Sequence, residues 1–135
     1  MINIVIRADA SISIGTGHIM RCLTLAHELQ NIHRGKKINI TFICCKLPLF
    51  LKKKITTSPF ELIELKHQDD NKEWDQASDA AQCIELLSKL PKADLLVQDH
   101  YQLNMPWQEL LQPYYHKLLV IDDLANRKHK ANFLL

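Results

Sequence analysis

The sequence predicts an α/β fold with a mainly parallel sheet flanked by helices. Short apolar runs rich in Val, Ile and Leu recur along the chain, and segments with helical periodicity lie between them. Several of these runs show no alternation with polar residues, which is typical of strands covered on both faces. Strands that alternate with helices usually form a parallel sheet, so the order of the elements supports the same fold class.

Six apolar runs have the length of strands. They cover residues 2–6, 40–44, 60–65, 94–98, 117–121 and 133–135. Apolar residues at steps of three and four predict helices over residues 17–33 and 73–89, and a shorter helix is predicted over 48–54. The polar segment 67–72 is predicted to be a loop.

A fourth helix is predicted after the strand at 94–98. Asn104 is suited to its N-cap, Pro106 is tolerated in its first turn, and Pro113 lies near its end. This helix completes the alternation of strands and helices.

The composition excludes several classes of protein. The 135 residues include 17 Lys or Arg and 15 Asp or Glu, a net charge of +2 that gives no basic excess for nucleic acid. No apolar run reaches the roughly 18–20 residues of a membrane helix. Arg7 and Asp9 interrupt the first apolar run before it is long enough for a signal peptide. We therefore expect one globular domain in the cytoplasm.

The cysteines form no metal-binding motif. Cys22, Cys44, Cys45 and Cys83 contain no C-x-x-C pair, and no His or carboxylate spacing completes a ligand set. The sequence therefore predicts free thiols, mostly buried, and neither a metal nor a cofactor.

The loop after the first strand carries the strongest motif. It contains Gly15, Gly17 and His18, followed by the first helix. Paired glycines let a backbone approach a ligand closely, and a helix N-terminus offers free N–H groups. The full dinucleotide fingerprint G-x-G-x-x-G is absent because Met20 occupies the third glycine position.

His18 is the candidate catalytic residue of this loop. Arg21 follows three positions later on the same helical face. The positive helix end and the guanidinium both favour a neutral imidazole, which can act as a general base toward water. The alternative is a histidine that caps or packs the loop.

Other polar residues follow the strands at the same edge of the sheet. Asp9 can bind loop amides or a substrate hydroxyl. Asp99 and Tyr101 follow the strand at 94–98, and Tyr101 can either donate to a substrate oxygen or pack at the rim. Asp122 and Asp123 follow the next strand, where a metal or acid–base role competes with capping of local amides.

Four segments resemble one family of enzymes. Residues 7–9 and 15–21 resemble the G-x-G-H-x-x-R opening of the UDP-2,4-diacetamido-2,4,6-trideoxy-β-L-altropyranose hydrolases of pseudaminic acid biosynthesis. Residues 99–101 resemble the family's D-x-Y segment, and residues 120–135 resemble the stretch that closes its N-terminal domain. That family is similar to the glycosyltransferase that forms lipid II and shares its two-domain GT-B fold.

The resemblance implies a reaction and a set of residues. Water attacks the anomeric carbon of a UDP-activated amino sugar and releases UDP, with no metal and no cofactor. His18 is then the base for that water, and Tyr101 lines the sugar pocket. The candidate substrate-binding residues are Asp9, Gly15, Gly17, Arg21, Asp99 and Tyr101.

The chain departs from the family in length. Family members continue into a second α/β domain that supplies most nucleotide contacts, whereas residues 1–135 match only the N-terminal, Rossmann-like half. We therefore expect an N-terminal domain that binds UDP poorly and turns over slowly alone. Two alternatives stay open: an acceptor-side domain of a GT-B glycosyltransferase, for which Lys52–Lys54 beside Leu49–Leu51 is the relevant surface, or a non-catalytic interaction domain.

Overall fold

The strands and helices alternate along the chain as the periodicity predicts. The computed structural model describes residues 1–10, 16–32, 35–66, 74–122 and 129–135. The strands are β1 (Ile2–Ala8), β2 (Ile38–Cys44), β3 (Glu61–Glu64), β4 (Ala93–Asp99), β5 (Tyr115–Val120) and β6 (Phe133–Leu134). The helices are α1 (Gly17–Ile32), α2 (Leu49–Thr56), α3 (Gln76–Leu87) and α4 (Met105–Leu111), with a short 3₁₀ helix at Gln112–Tyr114.

The six strands form one parallel sheet in the order β3-β2-β1-β4-β5-β6. The chain builds outward from β1 to β3 and then returns to place β4 on the other side of β1. This order is that of a Rossmann-like fold, and it confirms the predicted fold class. The point between β1 and β4, where the strand order reverses, is where such sheets bind ligands.

Helices cover both faces of the sheet. On one face, α1 and α2 pack against side chains such as Ile6 and Phe42. On the other face, α3 and α4 pack against side chains such as Val5 and Leu96. Strands buried on both faces explain the continuous apolar runs in the sequence. Within the described ranges, no helix has the length and apolar character needed to cross a membrane.

Most element boundaries differ from their predictions by one to three residues, and two of the differences have a local cause. Helix α3 begins at Gln76, because Asp75 takes the N-cap position and its side chain accepts from the Ser78 N–H at 3.0 Å. Strand β5 begins at Tyr115, because the 3₁₀ helix that ends at Tyr114 leads directly into the strand. Glu73 and the predicted loop at 67–72 lie outside the described residues.

The cysteine side chains are mostly buried, as predicted. Cys22, Cys44 and Cys83 are buried, and Cys45 is half-buried. Burial raises the pKa of Cys22, Cys44 and Cys83 above the usual value, so these three thiols stay protonated inside the protein.

Candidate active site at the strand-order reversal

Four of the predicted site residues lie together at the carboxyl ends of β1 and β4. Ala8 and Asp99 are register partners at the ends of these neighbouring strands. Helix α1 brings His18 and Arg21 to this edge, and the turn after β4 brings Tyr101. We call His18, Arg21, Asp99 and Tyr101 the switch-point site.

His18 has one ring nitrogen fixed by Asp99. The Nδ1 atom lies 3.0 Å from the backbone oxygen of Asp99 and 3.1 Å from its Oδ1 atom. A backbone carbonyl accepts only, and so does an ionised carboxylate, so Nδ1 must carry the hydrogen. In the neutral ring the lone pair is therefore on Nε2.

The Nε2 atom of His18 is buried, and among the described residues it has no hydrogen-bond partner. The side chain is 5% exposed. Most buried polar atoms in proteins are hydrogen-bonded, so this basic nitrogen is a candidate functional group at the edge where this fold class binds ligands. The Tyr101 ring packs edge-on against the imidazole, with 4.4 Å between the ring centroids.

The Arg21 guanidinium is paired with the Asp99 carboxylate. Its Nη2 donates to Asp99 Oδ1 at 2.5 Å, and its Nε donates to Oδ2. The spacing in the sequence predicted that the guanidinium charge would act on His18 directly. In the structure the Asp99 carboxylate contacts both side chains and offsets that charge.

Gly17 is the first residue of α1, and the chain conformation does not require a glycine there. Its φ angle lies outside the left-handed region, and a Cβ atom would meet no described atom within 4 Å. The space beside the helix N-terminus is therefore open at this position. Gly15 lies outside the described residues.

Asp9 lies in a buried ion network made of Arg7, Asp9, Asp79 and His100. Its Oδ1 atom accepts from the backbone N–H groups of Cys45 and Lys46, at 2.6 and 3.1 Å. Asp9 is fully buried and also accepts from Arg7 at 2.8 Å. In the structure, Asp9 therefore binds loop amides.

His100 stabilises the turn that carries Tyr101. Its Nδ1 accepts from the Gln102 N–H at 3.1 Å, so its Nε2 carries the hydrogen and donates to Asp9 Oδ2 at 2.9 Å. Burial lowers the pKa of His100, and the hydrogen bond to Asp9 opposes this only in part. The buried ion network thus fastens the end of β4 to the end of β1.

A second polar cluster lies beside the site, and of its members only Asp122 had been singled out in the sequence. Gln108 on α4 donates from Nε2 to Gln98 Oε1 at 2.6 Å and contacts His129 Nδ1 at 2.8 Å. His129 Nε2 lies 2.7 Å from Asp122 Oδ2. Asp122 therefore pairs with a histidine, and Asp123 lies outside the described residues. In the sequence, the indication of this cluster was Gln108, a glutamine on the apolar side of a short helix.

The described residues contain no group of three or more His, Cys, Asp or Glu side chains arranged to hold a metal ion. Comparison of the chain with models of known protein families, with curated proteins and with solved structures yields no significant match. The proposal for function therefore depends on the geometry and on the sequence motifs.

Proposed function

We propose that the chain is the N-terminal, base-supplying domain of a UDP-sugar hydrolase. One observation carries the proposal: His18 donates from Nδ1 to Asp99 and leaves the Nε2 lone pair without a partner among the described residues. A neutral imidazole held in this tautomer is suited to take a proton from water. His18 lies beside the strand-order reversal, and this fold class binds ligands at that point.

The proposed step is a hydrolysis at the sugar carbon. Nε2 of His18 takes one proton from water while the water oxygen bonds to the anomeric carbon. The bond from that carbon to the diphosphate oxygen breaks, and its electron pair leaves with UDP. The second water hydrogen stays on the new sugar hydroxyl. His18 then returns its proton to solvent or to the released diphosphate.

The proposed substrate class is a UDP-activated amino sugar, specifically UDP-2,4-diacetamido-2,4,6-trideoxy-β-L-altropyranose. This part of the proposal comes from the family resemblance of residues 7–9, 15–21 and 99–101. We propose the cytoplasm as the location of the reaction, and a second domain of the family type would supply the nucleotide contacts. Tyr101 lies against His18, and it would line the sugar side of the pocket.

The test is UDP release by the 135-residue protein in ¹⁸O-labelled water. We expect slow release with the label in the sugar, and a fall of at least about a hundredfold in His18→Gln. His27→Gln is the matched control, because His27 lies on the same helix α1 but packs against Phe60, away from the site. This control should keep the wild-type rate.

Two results contradict the proposal. One is release by His18→Gln within about tenfold of the wild type, a difference of only about 1.4 kcal/mol in barrier. The other is an absence of release together with no change in the His18 and Tyr101 NMR signals when the UDP-sugar is added. The first result means that His18 is not the base, and the second favours a non-catalytic interaction domain.

A glycosyltransferase domain is the second candidate, and one surface favours it. Leu49 and Phe50 at the start of α2 are 66% and 55% exposed, and Lys53 and Lys54 lie in the last turn of the same helix. An apolar and basic surface of this kind suits a membrane-bound acceptor. Transfer to an added acceptor alcohol, with no label entering the sugar from water, would identify this activity.

A further inference from the structure

Asp99 is placed to orient His18 and is closed to other ligands. The residue is fully buried at the end of β4. Both its backbone oxygen and its Oδ1 atom lie within hydrogen-bond distance of His18 Nδ1. A substrate that approached Asp99 would have to displace His18 or Arg21 from it.

Arg21 holds the Asp99 carboxylate by both oxygens. Nη2 donates to Oδ1 at 2.5 Å and Nε donates to Oδ2, and the side chain of Arg21 is 31% exposed while that of Asp99 is 0% exposed. A planar guanidinium that binds a carboxylate through two donors fixes its plane as well as its position. The Cys22 thiol adds a weak donor 3.7 Å from Oδ2.

We infer that Asp99 and Arg21 are positioning residues for His18 and do not bind the substrate. Asp99 holds Nδ1–H, and Arg21 holds Asp99. This inference rests on the proposed role of His18 as the base, and it replaces the sequence-based expectation that both residues contact the substrate.

The position of the charge explains how Asp99 acts. When Nε2 takes a proton from water, the imidazole becomes a cation. The carboxylate 3.1 Å from Nδ1 stabilises that cation, while the substrate before reaction meets neither oxygen. An interaction made only as the reaction proceeds affects kcat and leaves KM unchanged.

The kinetic test compares Asp99→Asn with the wild type. We expect kcat for UDP release to fall about a hundredfold or more while KM stays within about threefold. A rise in KM with an unchanged kcat would mean that Asp99 binds the substrate, and it would overturn the inference. Asp122→Asn is the matched control, since Asp122 also pairs with a buried histidine, His129, but outside the site.

Arg21 offers a second test that does not alter a fully buried residue. Arg21→Lys keeps the charge but loses the two-donor geometry, and Arg21→Gln loses both. We expect kcat to fall by about tenfold in Arg21→Lys and further in Arg21→Gln, again with KM unchanged. Equal activity of all three proteins would contradict a positioning role.

An NMR measurement separates this inference from the proposed function. The NMR signals of the two His18 ring nitrogens show which nitrogen carries the hydrogen. We expect a hydrogen-bonded Nδ1–H signal in the wild type that moves in Asp99→Asn and stays in place in Asp122→Asn. If UDP release fails and added UDP-sugar changes no His18 or Tyr101 signal, but the Nδ1–H signal responds to the variants as expected, the hydrolase proposal is wrong and the positioning of His18 stands. A hydrogen on Nε2 of the neutral wild-type ring overturns the inference whatever the activity.

Discussion

Arg7 lies fully buried at the end of β1 between two aspartates. Its Nη1 donates to Asp9 Oδ1 at 2.8 Å, and its Nη2 donates to Asp79 Oδ2 at 2.5 Å. Asp79 also accepts from the indole N–H groups of Trp74 and Trp107, at 3.1 and 2.9 Å. Such a network is stable only while every member keeps its partners.

Replacing Asp79 with Ala should therefore destabilise the protein strongly. The change leaves Arg7 with one carboxylate and both indoles without an acceptor, and we expect a loss of about 3–5 kcal/mol in the free energy of unfolding. Urea unfolding followed by circular dichroism measures this loss.

The control for this prediction is Glu64→Ala. Glu64 pairs with Lys52 at 2.6 Å, but both side chains are more than a third exposed. An exposed pair contributes about 0–1 kcal/mol. If the two variants lose similar stability, the buried ion network does not have the role given to it here.

Only part of this chemistry could be predicted from single residues. Asp9 was expected at the carboxyl end of β1, because polar residues after a strand are easy to locate. Arg7 was not expected to pair with Asp79, because the partner comes from α3, and periodicity does not indicate which helix faces which strand end. A charged residue at the end of an apolar strand was the available signal, since a buried charge requires a partner.

Helix α3 shows how a local contact sets an element boundary. The apolar stripe in the sequence extends to Trp74, but the helix starts only after the Asp75 cap. The Trp74 side chain is buried all the same, because its indole reaches Asp79 in the first turn. Periodicity therefore misplaced the buried face as well as the first residue, because the helix buries Ala80 and Cys83, whereas Ala77 and Ala81, which the three- and four-residue steps placed on the stripe, are exposed.

Two N-cap residues should respond differently to replacement by Ala. Asp75→Ala removes the bond to Ser78 N–H and should cost about 1 kcal/mol of stability. Asn104 has the N-cap position of α4 but makes no side-chain cap bond, and its Oδ1 has no partner among the described residues. Asn104→Ala should therefore cost less than about 0.5 kcal/mol.

Thermal unfolding of the two N-cap variants checks this difference. Asp75→Asn, which can still accept from Ser78, should recover most of the loss. The structural reading of Asp75 is wrong if Asp75→Ala unfolds at the wild-type temperature, or if Asn104→Ala loses more.

At the scale of the whole molecule, the order of the strands determines where the site lies. The sequence predicted a parallel sheet, but it did not predict that β4 would lie beside β1. The apolar runs at β3 and β4 do not indicate which strand lies beside each of them, because the position of a strand depends on which face its crossover helix covers. Once β1 and β4 are neighbours, His18 and Asp99 meet even though they are far apart in the sequence.

Acidification should destabilise the protein in two stages. Burial lowers the pKa of His100 below the usual 6.5, so from about that pH downward the unfolded chain binds a proton that the folded chain excludes. Burial tends to raise the pKa values of Asp9 and Asp79, but Arg7 holds both below the usual 3.8. Their contribution to stability is present above about pH 4 and is lost as the pH falls further.

Urea unfolding at a series of pH values tests the first stage. His100→Gln can still donate to Asp9 but cannot gain a proton, so its stability should fall less between about pH 7 and pH 5 than that of the wild type. The assignment to His100 fails if both proteins lose the same stability over this range.

A buried cysteine lies in each layer of the fold, so the opening of each layer can be followed separately by the reaction of its thiol. Cys22 lies on α1, Cys44 on β2 in the sheet, and Cys83 on α3. Alkylating reagents react with thiolates, so these three protonated and enclosed thiols react only when the surrounding layer opens. The order in which they are alkylated would then show which layer of the sandwich separates first, and whether the site at the strand-order reversal opens before or after the rest of the molecule.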